Sequence, residues 1–232
     1  MTKVGIIQYP GSNCEFDTLH ILKDVLHVDA DLIWHKSGDI SSYDAFIIPG
    51  GFSYGDYLRA GAIASKGSII EKLKVESENG KPILGICNGF QILVESGLLP
   101  GSILLNSSTK FICRWVQIRM ENEKASIGRK IPKGTLLRMP IAHKEGRYYV
   151  DKDELIQLRK KNNIVFRYVV ESTDGAVESS PNGATDNIAG ICNDAGNILG
   201  MMPHPERASE SLLDPVGSLD GLKLFRSLLS LI

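Results

Sequence analysis

Short apolar runs alternate with longer stretches of helical period through the first hundred residues of the chain. Residues 4–8, 30–34, 45–48 and 83–86 are apolar and rich in strand-forming side chains, whereas 16–28, 60–78 and 90–96 carry helical patterns. In the first helical stretch Leu19, Leu22, Val25 and Leu26 fall three and four residues apart and form one apolar stripe. The last stops at Gly97, and Pro100 bars any resumption. Alternation of this kind predicts a parallel sheet with helices on both faces.

After Ser107 the pattern changes. Residues 111–120, 135–139 and 164–170 read as strands, and 151–161 as a helix with an acidic start and a basic end, the order that the helix dipole favours. Residues 188–192 and 198–202 predict a hairpin around Asn193-Asp194-Ala195-Gly196-Asn197, and 221–229 a closing helix. No Pro/Gly/Ser-rich linker divides this half from the first. It therefore predicts an antiparallel extension of the main sheet within one α/β domain spanning 1–232.

Composition narrows the partners more than the fold. Lysine and arginine total 26 against 27 aspartates and glutamates, so no charge surplus points to nucleic acid or a membrane surface. No apolar stretch approaches the ~20 residues that span a bilayer, and the first apolar run is too short for a signal segment, so the expected location is cytoplasmic. Cys14, Cys87, Cys113 and Cys192 lie far apart without a Cys-x-x-Cys, which predicts neither a metal site nor a disulfide framework. Cys14, Cys113 and Cys192 read as small apolar fillers, with Cys14 placed after the first strand near any site formed there.

Cys87 is different. In Lys81-Pro82-Ile83-Leu84-Gly85-Ile86-Cys87-Asn88-Gly89-Phe90-Gln91 an apolar strand ends at a cysteine flanked at two-residue spacing by glycines. That is the layout of a nucleophile elbow, where glycines admit close backbone and the reactive side chain stands on the strand-to-helix corner. The first free amides of the following helix favour thiolate over thiol. Far downstream, Met202-Pro203-His204-Pro205-Glu206 follows the last predicted strand. Two prolines restrain the backbone around the histidine, and Glu206 is near enough to orient its ring, the task of a third triad member. A third segment, Ile47-Ile48-Pro49-Gly50-Gly51-Phe52-Ser53-Tyr54-Gly55-Asp56, runs from a strand into a glycine-rich loop. Amides of Gly51 and Asn88 would suit an oxyanion hole. A phosphate cradle is disfavoured, because neither Gly-x-x-x-x-Gly-Lys-Ser/Thr nor Gly-x-Gly-x-x-Gly occurs.

In that order the three segments resemble the class I glutamine amidotransferases. Four stretches narrow the resemblance: 50–61, 86–91, Pro140-Ile141-Ala142-His143 with Glu145-Gly146-Arg147-Tyr148, and 200–207. They are similar to the family of glutaminase subunits that serve phosphoribosylformylglycinamidine synthases, nearly end to end. The resemblance implies a flavodoxin-like, mostly parallel α/β sheet with an antiparallel extension. It implies Cys87 as nucleophile, His204 as acid/base, Glu206 as its orienting partner, Gly51 and Asn88 as oxyanion donors and Gln91 as a seat for L-glutamine. Ammonia would pass to a large ATP-binding synthetase subunit aided by a small third subunit, in the conversion of formylglycinamide ribonucleotide to formylglycinamidine ribonucleotide of purine biosynthesis. It implies no cofactor or metal in this chain, with ATP and Mg on the synthetase. Lys144 and Ser180 depart from the family's usual residues and bear on partner contacts.

Other readings attach to the same residues. A DJ-1-like or peptidase-like cysteine hydrolase usually has its histidine close behind the elbow, where Asn88 stands here. A glutaminase for another synthetase would share the triad and differ in the flanking stretches. A non-catalytic interaction domain is disfavoured by the intact Cys87, His204 and Glu206. His143 is read as part of a docking surface or active-site edge, because Arg147, Tyr148 and Tyr149 follow it.

Overall fold

A computed structural model describes residues 2–169 and 180–232. Its elements are β1 (Lys3–Gln8), α1 (Glu15–His20), β2 (Asp29–Trp34), β3 (Ala45–Ile48), α2 (Ser68–Glu78), β4 (Ile83–Ile86), α3 (Asn88–Glu95) and β5 (Ser102–Leu105). There follow β6 (Ile112–Met120), β7 (Leu136–His143), β8 (Glu145–Tyr149), α4 (Lys152–Lys160), β9 (Ile164–Val169), β10 (Ile188–Cys192), β11 (Ile198–Met201) and α5 (Asp220–Leu229).

Nine strands form one sheet in the order β2-β1-β3-β4-β11-β10-β9-β6-β7. From β2 to β11 neighbours run parallel, and from β11 to β7 they run antiparallel. The antiparallel extension is thus nearly as broad as the parallel part. The chain supplies β11 last of all strands, yet inserts it beside β4 at the seam between the two regimes. β3, β4, β10 and β11 are buried throughout, as strands covered on both faces must be.

Two expectations need correction, and one element was not foreseen. The helix expected over 60–78 begins only at Ser68, because Gly61 takes φ 78° and Gly67 is extended, which leaves 60–67 as turns. The helix expected over 16–28 loses its α pattern after His20, continues as a π turn over Ile21–Val25 and ends before His27 at φ 56°. A two-stranded sheet, β5 with β8, was not signalled by periodicity. Val170, the last residue of the strand expected over 164–170, lies outside the described residues.

The small sheet is tied to the body through α3. Phe90 and Tyr148 are fully buried and stack with centroids 5.8 Å apart, a geometry worth about 0.5–1.5 kcal/mol beyond area burial. Among the described residues, no helix is long and apolar enough to cross a membrane.

Candidate active site

The three sequence segments meet because their strands are neighbours. β3, β4 and β11 are adjacent and parallel, with Ile48 opposite Gly85 and Ile86 opposite Met201. Their carboxyl ends therefore release Gly50-Gly51, Cys87 and His204 along one edge of the sheet, where open α/β sheets bind ligands.

Cys87 sits at φ 50° and ψ −103° between β4 and α3, a strained backbone that a fold retains where geometry serves a site. Its amide donates to the Met201 carbonyl at 2.8 Å, and its carbonyl accepts from Gln91 at 3.0 Å, so strand and helix both clamp the corner. The two flanking glycines act as expected. A Cβ on Gly89 would overlap the Ile48 carbonyl oxygen, and one on Gly85 would come within 2.8 Å of the Gly89 backbone. Cys87 is 4% exposed, but it lines a cavity of about 300 Å³ together with Gly51, Gln91 and Ala142. Its sulfur lies 3.9 Å from the Ala142 carbonyl oxygen.

His204 Nδ1 is 2.5 Å from Glu206 Oε1. A carboxylate only accepts, so the bond places the ring proton on Nδ1 and leaves Nε2 as the free face. Burial opposes charge on this ring, but Glu206 and then Cys87 favour it, and the balance holds His204 well above the usual histidine range. Cys87 is thus within electrostatic reach of the ring, yet Nε2 is buried without a hydrogen-bond partner. The structure joins carboxylate to imidazole and sets the Cys87 sulfur near enough to stabilise the charge on the ring.

Gly50 and Cys14 pack against the same ring. A Cβ at Gly50 would stand 2.7 Å from His204 Cε1, so only glycine leaves the imidazole its place. Cys14 Sγ lies 3.9 Å from His204 Nδ1 and accepts from Arg207 Nη2 at 3.1 Å. Burial raises the Cys14 thiol. Cys14, His204 and Glu206 bring ligand atoms within 4.8 Å of one another. The guanidinium on the sulfur and the carboxylate on Nδ1 already occupy those atoms, and a cation would have to displace both.

Among the described residues, the Gly51 and Asn88 amides donate to no protein acceptor, as oxyanion donors must. The Asn88 side chain accepts from the Ser53 amide at 3.2 Å and donates to Gln91 Oε1 at 2.9 Å. Gln91 Nε2 then donates to the Glu145 carbonyl at 2.5 Å. Both ends of the Gln91 amide are committed to the protein, so the side chain braces the cavity wall. Asp56 and Glu145 also line the cavity, and Asp56 is pushed up to about 6 by burial and then by the Glu145 charge.

Of the two places read for His143, docking surface or active-site edge, the structure gives the second, for it lines the Cys87 cavity. His143 is 3% exposed, Tyr148 is fully buried, and only Tyr149 of the trio with them is exposed. His143 Nδ1 lies 3.1 Å from Asn106 Oδ1, which also accepts from the Gly146 amide. Asn106 Nδ2 donates to the carbonyls of Lys110 and His143, which fixes its oxygen as the acceptor and the His143 proton on Nδ1. Burial, then the His204 charge, lowers His143 to about 3, so it stays neutral. Ser180 is also buried, its hydroxyl donating to Ala184, while Lys144 is exposed at the cavity. Cys113, read as an apolar filler, is exposed on β6. No role was read for Asn106, Gly50 or Arg207, whereas the place of Cys14 after β1 had put it near the site.

The model of the CobB/CobQ-like glutamine amidotransferase domain matches residues 1–228. The phosphoribosylformylglycinamidine synthase subunit PurQ of Aquifex aeolicus is 48% identical over 98% of this chain and 99% of its own. The subunit of the same name from Methanosarcina acetivorans is 50% identical over 97% and 96%. The structure of PurLQS from Thermotoga maritima superposes with TM-score 0.85 at 42% identity, covering 99% of this chain and 98% of the other. A mixed sheet of this order, a cysteine elbow facing a Glu-oriented histidine and these identities agree: the chain belongs to the CobB/CobQ-like glutamine amidotransferases and, within them, to the PurQ subunits of phosphoribosylformylglycinamidine synthase.

Proposed function

We propose that this chain hydrolyses L-glutamine at Cys87 and delivers the ammonia to a separate ATP-dependent synthetase that forms formylglycinamidine ribonucleotide. The observation that carries the reading is a cysteine on a strained elbow, at a cavity, beside a histidine whose Nδ1 is held by a buried carboxylate.

In this scheme His204 carries a proton on Nε2 as well as on Nδ1, and the Cys87 thiolate paired with it attacks the side-chain amide carbon of glutamine. The carbonyl electron pair moves to oxygen, beside the Gly51 and Asn88 amides. Collapse breaks the carbon–nitrogen bond, with the proton on His204 going to the departing nitrogen, and leaves a γ-glutamyl thioester. Water, giving a proton to His204, then attacks the thioester, and Cys87 leaves as thiolate while glutamate is released. Glu206 holds the ring in register throughout. No metal or organic cofactor of this chain is needed in such a scheme.

An exposed apolar rim around the cavity supports the docking of a partner there. Phe52 and Phe111 line the cavity at 43% and 49% exposure, and Tyr57 and Leu58 stand beside them at 92% and 74%. A large ATP- and Mg-binding subunit, helped by a small third one, is the partner that the family and the PurLQS likeness favour.

The test is reconstitution with the synthetase, comparing glutamine with ammonium as nitrogen donor. Cys87→Ala is expected to abolish glutamine use and to retain ammonium use. Equal loss of both would make Cys87 structural, and vigorous hydrolysis by the isolated chain, unchanged by the synthetase, would defeat the docking part.

A further inference from the structure

The Gly51 amide and the His204 ring belong to segments far apart in the chain, yet one turn holds both. That turn, residues 10–14, follows β1, and β1 lies beside β3, so it runs along the loop that carries Gly51. Backbone bonds stitch the two segments together. The amides of Asn13 and Cys14 donate to the Gly50 carbonyl at 3.3 and 3.2 Å, and those of Phe52 and Tyr54 to the Gly11 and Pro10 carbonyls at 2.8 and 2.7 Å. Gly51, at φ 151°, lies so close to the turn that a Cβ on it would stand 2.7 Å from Ser12 Cα.

The Gly50 carbonyl and the Gly51 amide belong to one planar trans peptide and point in opposite directions. Two donors on the oxygen therefore fix where the amide hydrogen goes. It leaves on the side away from the turn, and Gly51 and Cys87 line the same cavity. The side chain of Cys14 makes the second attachment. Its thiol donates to Asn13 Oδ1 at 3.0 Å and its sulfur accepts from Arg207 Nη2 at 3.1 Å, so the sulfur is fixed from two sides, 3.9 Å from His204 Nδ1. Glu206 takes the Nδ1 proton, so the sulfur bears on the ring by contact. Arg207 lies 3.9 Å from Glu206 Oε1 and 3.7 Å from Asp17 Oδ2. The Cys14 carbonyl, accepting from the Thr18 amide and hydroxyl at 3.0 and 2.9 Å, keeps the turn seated on α1.

We propose that the 10–14 turn, acting through Cys14 and Arg207, is a positioning element that keeps the oxyanion donor and the imidazole in one register about Cys87. This rests on the reading of Cys87 as a glutaminase nucleophile with Gly51 as an oxyanion donor. Cys14 and Arg207 act through Gly50, Glu206 and His204. Preorganised donors count as charge develops on the substrate oxygen, so a loosened clamp weakens the transition state and leaves ground-state binding alone.

The experiment measures glutamine hydrolysis by the complex reconstituted with the synthetase, with the ammonium-driven reaction of the same complex as the gauge of intact assembly. Cys14→Ala removes both the contact with the ring and the acceptor for Arg207. It is expected to lower kcat for glutamine about 10- to 100-fold with KM within about twofold. Cys14→Ser keeps a group that accepts from Arg207 and donates to Asn13, and is expected to recover most of that loss. Arg207→Gln leaves the turn's own bonds in place; it is expected to lower kcat about tenfold and decides the matter if Cys14→Ala does not fold. A kcat within about twofold of wild type, a loss carried by KM, a serine variant no better than alanine, or an equal fall in the ammonium-driven reaction would each overturn the proposal. Failure of the glutaminase reading looks different: the wild-type complex would then use ammonium and not glutamine.

Discussion

In the parallel half of the sheet, Ile48, Ile86 and Met201 end side by side and hand the chain directly to Gly50, Cys87 and His204. In the antiparallel half the strands return on themselves, and the cavity wall comes from the corner where β7, at the edge of the large sheet, passes into β8 of the small one, which supplies Ala142, His143 and Glu145. Parallel strands all point their carboxyl ends one way, so residues remote in sequence gather at one edge with reactive groups free. Antiparallel strands pair locally and alternate direction, which suits them to building a wall and a polar support. The first half should accordingly respond to substitution through chemistry, and the second through stability and substrate fit.

The sharpest break is Glu206→Gln. It removes the charge that keeps His204 protonated, and glutamine turnover is expected to fall about 10³- to 10⁴-fold in kcat, by analogy with loss of the orienting acid in serine triads. Stability follows the same pair. His204 is raised above its unfolded value of 6.5 by Glu206 and Cys87 against the pull of burial. The pair therefore stabilises fully below pH 6.5, and that contribution is lost as pH rises through the raised His204 value. Urea unfolding of wild type and Glu206→Gln across pH is expected to show the largest difference at the acid end. A difference that grows towards alkaline pH would contradict the charge assignment.

A smaller loss tests the parallel edge sterically. Gly50→Ala places a methyl 2.7 Å from His204 Cε1, so the ring must shift, and a misplacement of this size is expected to cost about 10²-fold in kcat with little change in KM. Kinetics with the reconstituted complex, alongside a melting curve, separate a moved histidine from an unfolded protein.

On the antiparallel side the effect should change in kind. Asn106 is 1% exposed and bonds His143, Gly146 and Lys110. Asn106→Ala leaves several buried groups unsatisfied and is expected to cost about 2–4 kcal/mol in urea unfolding. Below its melting point, glutamine turnover should fall less than about tenfold, because His143 is neutral and outside the relay. A loss of turnover as large as that of Glu206→Gln would erase the distinction between the halves.

Legibility in the sequence follows the same division. The elbow, the glycine loop and His204 with Glu206 were readable because each is a local pattern whose constraint lies within a few residues: glycine for close approach, proline for rigidity, a carboxylate at two-residue spacing. β3, β4 and β11 were readable as apolar runs for the same reason. His143 was legible as an active-site edge, while its docking-surface alternative drew on three adjacent aromatic and basic residues, of which strand alternation buries Tyr148 and exposes Tyr149. The small β5–β8 sheet escaped notice because its pairing joins residues forty or more positions apart.

By itself the sequence determined the alternation of elements, the strained corner at Cys87, the pairing of His204 with Glu206 and membership of the family. These depend on backbone preferences and short spacings. Tertiary structure alone decided that β11 lies beside β4, that Gly50 and Cys14 press on the imidazole, and that Asp56 meets Glu145 across one cavity. Such contacts are set by which distant strands pair and in what register, and no single segment encodes that.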